Sequence, residues 1–123
     1  MKGLGVDLVS LSEMQGTLDR AGDAFLERVF APDERDAIPD GGDRLRHIAS
    51  RFAVKEAVFK CLGATWTPSA SFSDIVVGRT AVGAPDVTVR GDFAATLAAS
   101  GGQTLLVSLS VSGDTAIAVA TLE

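Results

Sequence analysis

The chain is poor in the residues that build cross-links. It has one cysteine, Cys61, so no internal disulfide can form, and one histidine, His47, so a Cys/His zinc cluster cannot be assembled. Any metal must therefore be held by oxygen ligands. No apolar run approaches the roughly 20 residues that span a bilayer, and MKGLGVDLVSLSE lacks an apolar segment followed by a small-residue cleavage site. The reading is a cytoplasmic protein with no membrane contact. Lys and Arg number 11 against 16 Asp and Glu, a formal charge of −5, which argues against nucleic acid as a partner. There is no G-x-S-x-G or Cys/His signature, and no third glycine opens a helix after Gly3 and Gly5. Nucleophilic hydrolases and dinucleotide-binding loops are thereby set aside.

What remains is a balanced composition, 46% hydrophobic and 22% charged over 123 residues, which suits one folded domain spanning 1–123. Leu4, Val6 and Leu8 alternate with Gly5 and Asp7, predicting a short strand with Asp7 on the face opposite the apolar set. Helical spacing follows in two pieces, from Ser10 to about Gly22 and from Phe25 to Phe30. PDGGD at 39–43 reads as a loop, with Asp43 as N-cap of the segment RLRHIASRFAVKEAVFKCLG. On that helix Val54, Ala57, Val58, Cys61 and Leu62 form a core-facing stripe, which makes Cys61 a small buried hydrophobe. Phe52, Lys55, Glu56, Phe59, Lys60 and Gly63 form the other face. Strands are predicted at 73–77 and 86–90, a helix capped by Asp92 and ended by Gly101, and a hairpin of 104–111 with 115–122. Helices do not alternate with strands, so the fold class is α+β with an antiparallel sheet packed on a long helix.

The constellation that can carry chemistry is Asp7 with Glu56, Lys55 and Lys60. Glu56 and Lys60 stand at i, i+4, which is also the spacing of a plain surface ion pair. The functional alternative is that Asp7 and Glu56, from separate elements, hold Mg²⁺ while lysines neutralise a phosphate. His47 reads as a surface or capping residue. Asp33, Glu34 and Asp114 read as helix-start or turn residues.

GVDLV at 5–9 together with RFAVKEAVFKCLG at 51–63 resembles the paired signature of the holo-acyl-carrier-protein synthases, the small 4′-phosphopantetheinyl transferases. The likeness continues through Phe30 to Arg35, SFSDIVV at 71–77 and the tail LLVSLSVSGDTAIAVATLE, and covers essentially the whole chain. It implies a trimer with sites between subunits that moves the phosphopantetheine arm of coenzyme A to a serine of an apo acyl carrier protein. It also implies Asp7 and Glu56 as Mg²⁺ ligands and Lys60 as the diphosphate contact. Arg51 and Lys55 fall in the same motif and are implied to contact phosphate or brace the site, and Gly63, Gly83, Pro85 and Ser108 complete the implied coenzyme A set. Departures from the family pattern are Leu106 and Val111 at two histidine positions, Ser112 where some members have Asp, Ala84 for a lysine, and Glu13 for an arginine in a first helix that keeps Arg20. Arg44 and Arg46 offer a local basic patch. The departures motivate an alternative, a catalytically weakened homologue that binds coenzyme A or a carrier protein.

Overall fold

The computed structural model describes residues 1–123. Its elements run β1 (Gly3–Ser10), α1 (Leu11–Val29), α2 (Pro32–Asp36), α3 (Arg44–Cys61), β2 (Ile75–Arg79), β3 (Pro85–Val89), α4 (Gly91–Ser100), β4 (Leu105–Ser112) and β5 (Thr115–Leu122). The order is the predicted one with α2 added. Two antiparallel sheets form where one was expected: a three-stranded sheet ordered β1-β5-β4 and a separate β2-β3 hairpin. Gly22, at φ 50° and ψ −125°, breaks α1 into the two helical pieces that the sequence spacing predicts.

The three-stranded sheet lies against α3. Ala116, Ala118, Ala120 and Leu122 of β5 are buried on that face, and the three small alanine side chains let helix and sheet approach closely. On β1 the approach is closer still. A Cβ on Gly5 would sit 1.9 Å from the Ala57 carbonyl oxygen, and one on Gly3 2.2 Å from that of Cys61. The two glycines are thus packing residues that seat β1 directly on α3.

This contact decides which face of the strand is buried, with Asp7 opposite the apolar set as the alternation predicts. Leu4, Val6 and Leu8 are exposed on the outer face, while Gly3, Gly5, Asp7 and Val9 face the helix. In the register of the sheet, Val6 lies beside Val119 and Leu8 beside Ile117, and Leu106 shares this outer face. The result is an apolar sheet surface open to solvent.

The opposite flank of α3 is covered by α2, β2 and the loop before it. Burial therefore runs around most of the helix, taking in Ile48, Ala49, Ala53, Val54, Ala57, Val58 and also Arg51 and Lys55. Each large apolar side chain so buried contributes about 1.5–3 kcal/mol. No helix is long and apolar enough to cross a membrane.

Two predicted caps work differently. Asp43 occupies the N-cap position of α3 but makes no capping bond, because a 3₁₀ turn at Gly41–Asp43 leads into the helix. Asp92 lies one residue inside α4, where Oδ2 accepts from Thr67 Oγ1 and Ser69 Oγ, each at 2.6 Å. The start of α1 is capped twice: the Ser10 hydroxyl accepts from the Glu13 amide at 3.2 Å, and Asp114, in the β4–β5 turn, accepts from the Ser12 amide at 2.9 Å and from the Ser10 and Ser12 hydroxyls.

Candidate active site

Seating β1 on α3 brings Asp7 to the exposed edge of the helix's C-terminal half. Lys60 Nζ donates to Asp7 Oδ1 at 2.9 Å and to the Val6 carbonyl at 3.1 Å. The Lys60 side chain is half exposed, Asp7 only 16%. The hydrogen bond to Asp7 holds the ammonium above the ordinary lysine range, so it stays cationic. Glu56, one helical turn before Lys60, lines a cleft of about 320 Å³ with Asp7, Ser10, Glu13 and Phe52. Burial first, and then the charge of Asp7, raise the Glu56 carboxyl above the usual carboxylate range.

A pair of crowded carboxylates with an open side is a fitting seat for a hard divalent cation. Mg²⁺ takes oxygen ligands and typically keeps water and substrate phosphates for most of its octahedron, so two protein carboxylates suffice. No group of three or more His, Cys, Asp or Glu side chains forms a complete protein cage anywhere in the structure. Glu13, which the sequence singled out only as standing where the family pattern has an arginine, lines the same cleft.

Of the two roles expected of Lys55, phosphate contact or brace, its surroundings match the brace. Its ammonium is 0% exposed, salt-bridged to Glu34 Oε1 at 2.8 Å, and donates to the carbonyls of Phe72, at 3.0 Å, and Ile75. Three acceptors use all three of its protons. Burial pulls the Lys55 ammonium down and Glu34 pulls it back up. Glu34 is equally committed: Oε1 also accepts from the Ala31 amide and Oε2 from the Val77 amide, both at 2.9 Å. The pair ties α2 and β2 to α3 and reaches no solvent. Glu34 was legible only as a helix-start residue.

Gly63 follows α3 with φ 61°, and its amide bonds back to Lys60 at 3.0 Å. A left-handed turn here needs glycine whatever lies outside it. Gly83, at φ 85°, lies in the exposed β2–β3 turn, and Pro85 opens β3, half-buried and paired with Arg79. Ser108 is exposed on the outer face of β4.

The N-terminal half of α3 carries a second polar grouping. Arg51 is 9% exposed and donates to Ser50 Oγ at 3.1 Å, with no carboxylate in ion-pair range. It lines a cavity of about 250 Å³ with His47 and Arg79. Arg46 and Val111 border the same region, whereas Arg44 faces a separate cavity with Asp19 and Asp23, so Arg44 and Arg46 do not form one patch. Leu106 and Val111 lie on opposite faces of β4, and neither lines the Asp7–Glu56 cleft.

Comparison with known proteins gives a consistent picture. Residues 3–120 match the family model of the 4′-phosphopantetheinyl transferase superfamily. The holo-[acyl-carrier-protein] synthase of Solidesulfovibrio magneticus is 39% identical over 123 residues, covering 100% of this chain and 98% of the relative. That of Desulforudis audaxviator is 39% identical over 118 residues, 96% and 89% of the two chains. Among solved structures, the Neisseria meningitidis holo-[acyl-carrier-protein] synthase superposes with a TM-score of 0.90 at 31% identity, covering 100% of this chain and 98% of that one. The Helicobacter pylori enzyme, solved in complex with coenzyme A, gives 0.83 at 30% identity, with 98% and 99% covered. By full-length similarity in both sequence and fold, this chain belongs to the holo-[acyl-carrier-protein] synthase family.

Proposed function

We propose that Asp7, Glu56 and Lys60 form the site at which the 4′-phosphopantetheine arm of coenzyme A passes to a serine of an apo acyl carrier protein, releasing adenosine 3′,5′-bisphosphate. The observation that carries the reading is that Asp7 and Glu56 line one open cleft, with Lys60 bonded to Asp7 at 2.9 Å. Phosphoryl transfer asks the protein mainly for charge neutralisation and alignment, since the phosphorus is attacked by the substrate's own oxygen. Lys60 supplies a fixed cation for the diphosphate, and Asp7 together with the Val6 carbonyl holds that cation in place. Asp7 and Glu56 would hold Mg²⁺, whose chemistry when bound is to offset the diphosphate charge. The seat of β1 on α3 fixes the spacing of the two carboxylates, because Gly5 leaves no room for adjustment. Leu106 and Val111, at the two family histidine positions, do not line this cleft within one protomer.

The protomer works as a trimer in this reading. The outer face carrying Leu4, Val6, Leu8, Leu106, Ile117 and Val119 is too apolar to stay in water, and a second copy of the chain is the partner that every protomer has available. Arg51 and Lys60 are nine residues apart on one helix, about 13 Å along its axis and on opposite faces. A donor held by both would bridge two protomers. A cytoplasmic setting follows from the substrates.

The test is intact-mass measurement of apo acyl carrier proteins after incubation with the protein and coenzyme A, with and without Mg²⁺. A Mg²⁺-dependent gain of one phosphopantetheine on serine is expected, and no gain on any carrier would defeat the reading. Sedimentation equilibrium tests the assembly, for which a monomeric mass would be the contrary result.

A further inference from the structure

We propose that Glu13, in the first turn of α1, is the proton acceptor for the attacking serine in the Asp7–Glu56 cleft. This rests on the transfer reaction proposed above and on Asp7 and Glu56 being the carboxylates that hold Mg²⁺. The serine hydroxyl must give up its proton as its oxygen bonds to phosphorus, and no histidine is at hand to take it. His47 lines cavities at the other end of α3 and not this cleft.

The other acidic candidates are excluded by what they already bind or by where they lie. Glu34 is sealed against Lys55 and the Ala31 and Val77 amides. Asp114 is occupied by the donors at the start of α1, and Asp33 lies on α2, outside the cleft lining. Within the cleft the polar side chains are Asp7, Ser10, Glu13, Thr17 and Glu56. Asp7 is bonded to Lys60, Ser10 to Asp114, and the Thr17 hydroxyl donates to the Glu13 carbonyl at 3.3 Å. Asp7 and Glu56, once on a dication, are poor proton acceptors, because a proton and the metal compete for the same oxygen lone pairs. Glu13 remains, an exposed carboxylate whose oxygens make no hydrogen bond and no ion pair.

That freedom runs against the local sequence. Ser10 to Glu13 has the spacing of a capping box, in which the glutamate side chain turns back to the Ser10 amide. Only half of the box forms: Ser10 Oγ accepts from the Glu13 amide at 3.2 Å, and the return bond is absent. The carboxylate lines the cleft instead, on a helical turn that Asp114 pins to the β4–β5 turn. Its exposure gives the proton an exit to water.

The step balances within these groups. The serine Oγ forms a bond to the phosphorus that carries the pantetheine arm, and the bond from that phosphorus to the bridging oxygen breaks. The electron pair leaves with adenosine 3′,5′-bisphosphate, and the serine proton passes to a Glu13 oxygen and from there to water. A carboxylate that orients a hydroxyl and takes its proton suffices for phosphoryl transfer, which otherwise asks for positioning and charge stabilisation.

Steady-state transfer to a carrier that the wild type modifies, measured across pH for the wild type, Glu13→Gln and Glu13→Ala, tests the assignment. Glu13→Gln should lower kcat by about 10²–10⁴-fold with the KM values for coenzyme A and carrier unchanged, and should lose the fall in rate that acid causes in the wild type. Added acetate should restore part of the rate to Glu13→Ala. Glu13→Gln with the wild-type kcat overturns the assignment, and so does an unchanged kcat with a raised carrier KM, which would make Glu13 a docking charge. A lowered kcat with the wild-type pH profile and no rescue by acetate also overturns it. Both variants should melt with the wild type, and an early melt would contradict the uncommitted carboxylate on which the assignment stands. Transfer that is lost in Glu56→Gln but kept in Glu13→Gln removes Glu13 and leaves the transferase reading in place, whereas a wild type that modifies no carrier defeats that reading itself.

Discussion

Lys55 and Lys60 are five residues apart on the same helix, and each meets a carboxylate, Glu34 at 2.8 Å and Asp7 at 2.9 Å. The first pair is sealed from water and the second is half open, with Lys60 50% exposed. Burial drives the Lys55 ammonium down from its usual range, whereas the bond to Asp7 drives the Lys60 ammonium up. The same chemical pair is therefore a structural tie where every proton is satisfied internally, and a solvent-facing cation where one donor remains free. What separates them is the cover over each flank of α3, since α2 and β2 close over Lys55 and nothing closes over Lys60.

Removing the sealed lysine should have the largest effect on the fold. Lys55→Met leaves Glu34 buried with its counter-charge gone, a loss of about 3–5 kcal/mol by urea unfolding. The double variant Lys55→Met/Glu34→Gln should recover part of it. Lys60→Ala should do the reverse. Its unfolding midpoint should shift by no more than about 0.5 kcal/mol equivalent, as for exposed sites, while the transfer rate falls by about 10²–10³-fold. A Lys60→Ala protein that melts early, or a Lys55→Met protein that keeps its stability, would break the contrast.

Gly5→Ala probes what places Asp7 beside Lys60. The added methyl collides with the Ala57 carbonyl, so β1 must shift. A loss of about 1–3 kcal/mol is expected, together with a fall in transfer rate larger than that loss of folded protein explains. Wild-type activity in this variant would show that the close approach does not govern the site.

The smallest effect sharpens the other end of α3. His47 is the one histidine, so its imidazole resonances are unambiguous in proton NMR, and they should titrate near pH 4. Between that value and the ordinary 6.5 the unfolded chain binds a proton that the folded chain does not. Stability should therefore rise with pH across this interval, and His47→Gln should flatten the rise. Titration of the folded protein near 6.5 would refute the burial of this residue and the cationic crowding around it by Arg51 and Arg79.

Much of this was legible in the sequence because α3 is long and its apolar spacing is regular. Asp7 and Glu56 were identifiable from the two motifs that resemble the family, and Lys60 from its place in the second. The orientation of β1 was not. Alternation tells which residues share a face, but not which face is buried, and here two glycines won the helix side over three aliphatics because only they fit. The burial of Lys55 was hidden for a similar reason, as its partner lies 21 residues upstream in a five-residue helix with little local signature. Asp43 and Asp92 were placed correctly near helix starts, but their hydrogen bonding is decided by tertiary neighbours such as Thr67 and Ser69.

The most direct test of the Asp7–Glu56–Lys60 assignment is the Mg²⁺ dependence of transfer in the wild type and in Glu56→Gln, with thermal melts on the same preparations. Equal melts are expected, with a Mg²⁺-saturable rate in the wild type and a loss of at least about 100-fold in the variant that added Mg²⁺ does not restore. A Glu56→Gln protein that transfers at the wild-type rate with the same Mg²⁺ dependence would contradict the account.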